Sequence, residues 1–162
     1  MEAIRSFKHQ ATLLAGLLLF MTFFPIPARA ALGGGVSSVE ADRQQLRGSR
    51  AVLAGARYSV HEITTPYGTT VREFVSPEGR VFGVAWRGPF LPFFQQILGG
   101  YHADFVRGAQ QARASQHRRG NEPLTIVRPT FVMHSVGHTR AYVGSAYLPQ
   151  MVPAGVEARE IR

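Results

Sequence analysis

The chain has 162 residues, 18 Lys and Arg against 10 Asp and Glu, a formal net charge of +8, and no cysteine. That length suits one domain with a core of its own, and the lack of cysteine excludes disulfides, thiolate nucleophiles and Cys-ligated metals. Asp42 and Asp104 are the only aspartates, which leaves little for a carboxylate cluster around a hard cation.

Residues 1–30 read as a cleaved export signal. Arg5 and Lys8 precede an apolar run from Ala11 to Phe24, Pro25 and Pro27 close it, and Ala28-Arg29-Ala30 has the small-residue spacing of a cleavage site. The run is short for a bilayer span. No Cys follows it for lipid attachment and no twin arginine lies in this segment, so the general export route is expected. Cleavage after Ala30 leaves 132 of the 162 residues, 31–162, as a single globular domain that is periplasmic or secreted. This mature chain carries 15 arginines, no lysine and 9 acids, a net +6. Such a charge suits peripheral contact with anionic lipid.

Ser37–Leu46, SSVEADRQQL, predicts a short helix, with Ser37 and Glu40 spaced as a capping box and Gly48 ending it. Three strands are expected next: Tyr58–Thr65 (YSVHEITT), Thr69–Ser76 (TTVREFVS) and Val81–Arg87 (VFGVAWR), rich in β-branched and aromatic residues. Both intervening loops are P-x-G, the chemistry of tight turns. A three-residue first loop sets Glu62 opposite Arg72, Ile63 opposite Val71 and Val60 opposite Phe74. A two-residue loop would oppose Glu62 and Glu73, so the longer loop is preferred. The same choice in the second hairpin pairs Val75 with Val81 and Phe74 with Phe82.

Gly88-Pro89 reads as a turn, and Pro92 suits a first helical position. Phe94, Ile97, Leu98, Tyr101 and Phe105 then form an apolar helical stripe, with Gln95 and Gln96 opposite and Gly99-Gly100 kinking or ending it. The aromatic run from Val81 to Leu98 is therefore a strand and a helix packed together, as core first and as a ligand wall second. Arg87 and two prolines argue against a membrane span. Residues 107–122 read as a frayed helix tail and an exposed loop holding Arg107, Arg113, Arg118 and Arg119. Leu124–Ser135 and Arg140–Tyr147 predict two more strands with Gly137-His138 in the turn, the first bulged or at an edge because of Pro129. The tail from Leu148 packs across the surface. The expected fold is α+β: an antiparallel sheet of about five strands (a three-strand meander, then a helix, then a hairpin), the helix on one face and a short helix at the N-terminus.

Chemical signatures are sparse. His134 and His138 have HxxxH spacing, but Gly137 and the β-rich flanks indicate strand and turn, and the Glu of a zinc-protease helix is missing. No metal and no cofactor is expected. His61 opposite Glu73 can be drawn as an acid–base pair, yet cross-strand ion pairs account for the same hairpin residues. No G-x-S-x-G, P-loop or G-x-G-x-x-G occurs. Arginines and aromatics interleave around Phe82, Trp86, Arg87 and Phe90, as on a base-stacking sheet. Without an RNP-type motif, and with export expected, nucleic acid is not an expected partner.

Six stretches carry a resemblance: ALGG at 31–34, SVEADRQQL at 38–46, YSVHEI at 58–63, VREFVSPEGRVFGVAWRGP at 71–89, HRRG at 117–120 and GHTRAYVGSAYLP at 137–149. Together they resemble a family of small exported proteobacterial proteins catalogued only as a domain of unknown function. The resemblance spans nearly all of the mature chain and implies an exported single-domain protein. It brings no reaction and no catalytic residue. Where the family has an acid soon after the helix-opening proline, this chain has Phe93.

The expected function is a non-enzymatic envelope module binding a lipid, a small apolar ligand or a protein partner. Trp86, Arg87, Phe90, Tyr101 and Arg140 are the candidate contacts. The alternative is a small hydrolase of phosphate or glycan substrates using His61, Arg72, Glu73 or His138. The oligomeric state is left open.

Overall fold

A seven-stranded antiparallel sheet organises the chain. The computed structural model describes residues 32–115 and 122–162; the expected export segment and Arg118 and Arg119 lie outside them. The elements are α1 (Val36–Gln45), β1 (Ser49–Ala54), β2 (Ser59–Thr64), β3 (Thr70–Val75), β4 (Val81–Gly88), α2 (Phe94–Ile97), α3 (His102–Ser115), β5 (Leu124–Val127), β6 (Val132–His138) and β7 (Ala141–Tyr147). Strand order is β1-β2-β3-β4-β7-β6-β5. The chain walks inward from the β1 edge to the central β4 through one meander and crosses the sheet in its helices. It re-enters at the far edge and walks back until β7 pairs with β4.

The first hairpin has the expected register, with Glu62 opposite Arg72, Ile63 opposite Val71 and Val60 opposite Phe74. In the second hairpin Val75 pairs with Val81, but Phe74 faces Gly83 rather than Phe82. A bulge at Phe74/Val75 supplies the offset. It sends Phe82 to the side of Phe74, where the rings meet at 6.2 Å.

The sheet has seven strands rather than about five, for two reasons. Ser49–Ala54 is a strand not expected from the sequence; its six residues are all exposed, so it shows no apolar alternation. The single strand expected over 124–135 is two strands, because Pro129 sits in a turn. Across that turn Arg128 and Phe131 exchange backbone hydrogen bonds in both directions, at 2.9 and 3.3 Å. The β6–β7 turn is Thr139-Arg140 rather than Gly137-His138, since His138 still pairs with Ala141. Arg140 takes up the required left-handed backbone, with φ +61°.

The helices also differ in detail. α1 starts at Val36 with Gly35 as its cap, and no side chain caps it. Instead Gly79 accepts the Val36 N–H at 2.8 Å. Glu40 is drawn off to Arg43 at 2.8 Å and Arg50 at 3.4 Å, so the Ser37–Glu40 capping box does not form. α2 begins at Phe94 rather than at Pro92. As expected, Gly99-Gly100 interrupts the helix, as a 3-10 turn over Gly99–Tyr101 before α3, and Phe94, Ile97, Leu98, Tyr101 and Phe105 all still pack on one core. α3 lies tight on β5: a Cβ on Gly108 would come within 2.7 Å of Ile126.

Both faces of the sheet are covered at its centre. On the helix side Val39, Ile63, Val71, Val84, Trp86, Ile97, Met133 and Ala146 share one core. On the other side the C-terminal tail lays Ile161, with Val152 and Val156, over Phe74, Phe82 and Ala85. A Cβ on Gly83 would approach Ile161 to 2.9 Å, so the tail sits directly on the strand.

Candidate functional site

Two constellations stand out from the core. The first is a buried polar cluster beneath α1. Alternation along β2 and β3 places His61 and Glu73 opposite each other on the helix side, and α1 brings Asp42 down onto them. Asp42 and Glu73 are both fully buried. Gln96 Nε2 donates to Asp42 Oδ1 at 2.6 Å. Asp42 Oδ2 and both Glu73 oxygens have no donor, which two ionised carboxylates could not provide for each other. A proton kept on one of them supplies the missing donor. Burial raises the Asp42 carboxyl. Burial, with the Asp42 charge second, raises Glu73 well above the usual carboxylate range. Burial lowers the His61 imidazole, and Arg50 adds to this. The cluster has no opening to solvent at either carboxyl, so it ties α1 to the sheet.

The residues of the hydrolase alternative are not gathered there. Arg72 lies on the opposite face, paired with Glu62 at 2.7 Å. His138 stands at the last position of β6, on the other half of the sheet. His134 and His138 are four strand residues apart, roughly 13 Å along the strand, so they do not converge as a helical HxxxH pair would. Among the described residues no group of three or more His, Asp or Glu could hold a metal.

The second constellation is an open groove of about 550 Å³ where the β2–β3 turn meets the segment after β4. Leu46, Arg47, Pro66, Tyr67, Leu91 and Phe93 line it, together with Phe90. Tyr67 is 75% exposed, Phe90 49%, Leu91 48% and Phe93 60%. Phe90 is held there by its backbone. Thr69 Oγ1 donates to the Phe90 carbonyl at 2.9 Å and accepts the Phe90 N–H at 3.3 Å. Gly88 permits that approach, since a Cβ there would lie 2.5 Å from Thr69 Cα. Tyr67 and Phe90 meet edge to face at 6.2 Å. Arg47 sits on the rim in a left-handed backbone position, φ +52°, and no acid pairs with it among the described residues.

The five contacts expected from sequence do not form one surface. Trp86 is core, packed on Phe94 at 5.1 Å and lying over Gly144. Arg87, the next strand residue, is exposed on the opposite face. Tyr101 stacks on Phe131 at 5.9 Å. Arg140 occupies the β6–β7 turn. Of the five, Phe90 alone lines the groove. Tyr67, Leu91, Phe93 and Arg47 were missed. The available signal was the pair of apolar, proline-bearing loops, PYG at 66–68 and GPFLPF at 88–93, whose aromatics match no helix or strand period.

A family model described as a protein of unknown function (DUF2844) matches residues 28–161. No curated protein and no solved structure matches the chain.

Proposed function

The chain belongs to this DUF2844 family, and we propose that it is an exported, non-enzymatic envelope module that binds an anionic amphiphile in the groove between Tyr67 and Phe93. The carrying observation is the Thr69 clamp, which fixes the exposed Phe90 in the wall of a preformed groove. Its volume lies within the range of small-ligand sites, and apolar walls with a few polar groups are their usual lining. Arg47 at the rim suits a carboxylate or phosphate head group, while the aromatic walls suit an acyl body. Export, with cleavage after Ala30, rests on the charged, apolar and small-residue order of the first 30 residues. The family match begins at residue 28, beside that cleavage site.

The test is native mass spectrometry of the protein isolated from its host's envelope, followed by titration of the stripped protein with dodecanoate. A retained anionic amphiphile, and saturable dodecanoate binding that Phe90→Ser abolishes, are expected. A clean mass with no saturable binding rules the proposal out. A mass that includes residues 1–30 rules out cleavage.

A further inference from the structure

The two edges of the sheet are unlike. β5 is four residues long, with Pro123 just before it and Pro129 just beyond it, and prolines and short length blunt an edge. β1 is six residues long, contains no proline or lysine, and is exposed throughout. Val52 is 50% and Leu53 60% exposed, one on each face of the sheet. The strand's one charge, Arg50, already faces Glu40 at 3.4 Å.

The direction of the free backbone groups follows from the register. Gly55 N–H donates to the Tyr58 carbonyl at 3.0 Å, and Ala54 stands opposite Ser59. Backbone groups alternate in direction along a strand. Ser49, Ala51 and Leu53 therefore turn their N–H and C=O groups toward β2. Arg50, Val52 and Ala54 turn theirs outward, where the described residues offer no strand to receive them.

We propose that β1 is a self-association edge, pairing antiparallel with β1 of a second copy about a two-fold axis at Val52. In that register every outward group finds a partner: Val52 exchanges both bonds with its own copy, and Arg50 exchanges both with Ala54 of the other copy. A register centred on Ala51 leaves Ala54 unpaired. The chosen register also covers both faces. Val52 meets Val52 on the helix side, and Leu53 meets Ala51 on the other. Arg50 never opposes Arg50, so like charges are kept apart. The contact is isologous and closes at two copies, because the β5 edge is blocked against continuing the sheet. A strand-only contact is smaller than a standard interface, so the dimer forms with a dissociation constant on the order of micromolar or weaker.

Sedimentation velocity of the purified protein from micromolar to near-millimolar concentration tests this. The wild type is expected to shift from monomer to dimer. Val52→Pro removes only an outward donor, which an edge position tolerates, and is expected to be folded and monomeric at every concentration. Val52→Lys leaves the backbone intact and sets two like charges on the axis; it carries the test if the proline variant does not fold. The chain has no cysteine, so Val52→Cys adds one thiol. Across the axis the Cα atoms would lie about 5.5 Å apart, within disulfide reach, and oxidation is expected to give a covalent dimer. Tyr67→Cys, at a more exposed position off the edge, should give far less. A wild type that stays monomeric overturns the proposal, and so does a dimer that persists in folded Val52→Pro or Val52→Lys.

Discussion

Residues 81–86 and 90–93 belong to one aromatic run, yet the first stretch is sealed and the second stands half in water. The first is a central strand with helices on one face and the C-terminal tail on the other. Gly88-Pro89 then takes the chain off the sheet, and Thr69 fastens it at Phe90 before α2 begins. Apolar content does not distinguish the two; position in the topology does. Core aromatics are held by other side chains, whereas Phe90 in the groove is held by hydrogen bonds to its own backbone. Such an arrangement keeps a sticky surface open instead of letting it collapse.

The sharpest way to break this contrast is to truncate one ring on each side of Gly88. Phe82 fills the space between Tyr58, at 5.9 Å, and Phe74, at 6.2 Å. Phe82→Ala is expected to cost about 3–5 kcal/mol in denaturant unfolding. A loss under 1 kcal/mol would mean that the tail side is not a packed core. Gly88→Ala comes next. Its new Cβ would meet Thr69 backbone at 2.5 Å, which cannot swing aside as a flexible side chain could. We expect a loss of about 1–3 kcal/mol, together with loss of dodecanoate binding as the Phe90 clamp opens. Binding that survives in this variant would show that the clamp does not shape the groove.

How much of this the sequence disclosed follows from the range of the interactions. The first hairpin was legible to the residue because charge pairing and a P-x-G loop are local signals. The joining of β4 to β7 was not, since nothing near either strand encodes a partner some sixty residues away in the chain. β1 was invisible because an exposed edge strand has no buried face to print an alternation. Trp86 looked like a contact residue by type alone, and only the crossing of α2 over the sheet buries it. For the groove, the loops could be read but not their meeting, which depends on Thr69 reaching Phe90 across the β3–β4 end of the sheet. The seating of Asp42 against Glu73 was hidden in the same way, because it joins a helix to a strand.

That carboxyl pair sharpens the comparison by adding a buried region that titrates. Glu73 has its carboxyl raised well above the ordinary glutamate value of 4.5, by burial first and by Asp42 second. A raised folded value means that the folded state holds a proton the unfolded state has released. The stabilising contribution is thus complete below about pH 4.5 and declines as pH climbs toward the folded value. Glu73→Gln keeps the shape, supplies a permanent donor to Asp42 and removes the charge. The variant is expected to match the wild type in melting temperature near pH 4 and to exceed it at pH 8. Parallel melting curves across that range would mean that the pair does not share a proton.

The smallest effect on stability, and the most telling for function, belongs to Phe93. Its ring is mostly exposed and contributes little burial, so Phe93→Ser is expected to change unfolding free energy by no more than about 0.5 kcal/mol. The same ring forms one wall of the groove, and removing it should weaken dodecanoate binding about tenfold or more, the scale of one lost apolar contact surface. Stability and binding then respond in opposite proportion on the two sides of Gly88: Phe82→Ala destabilises the fold, while Phe93→Ser leaves it folded and weakens binding. Isothermal titration on the two folded proteins, wild type and Phe93→Ser, decides the matter. If Phe93→Ser binds as tightly as the wild type, the exposed half of the aromatic run is not a ligand wall, and its clamp by Thr69 serves only to end the sheet.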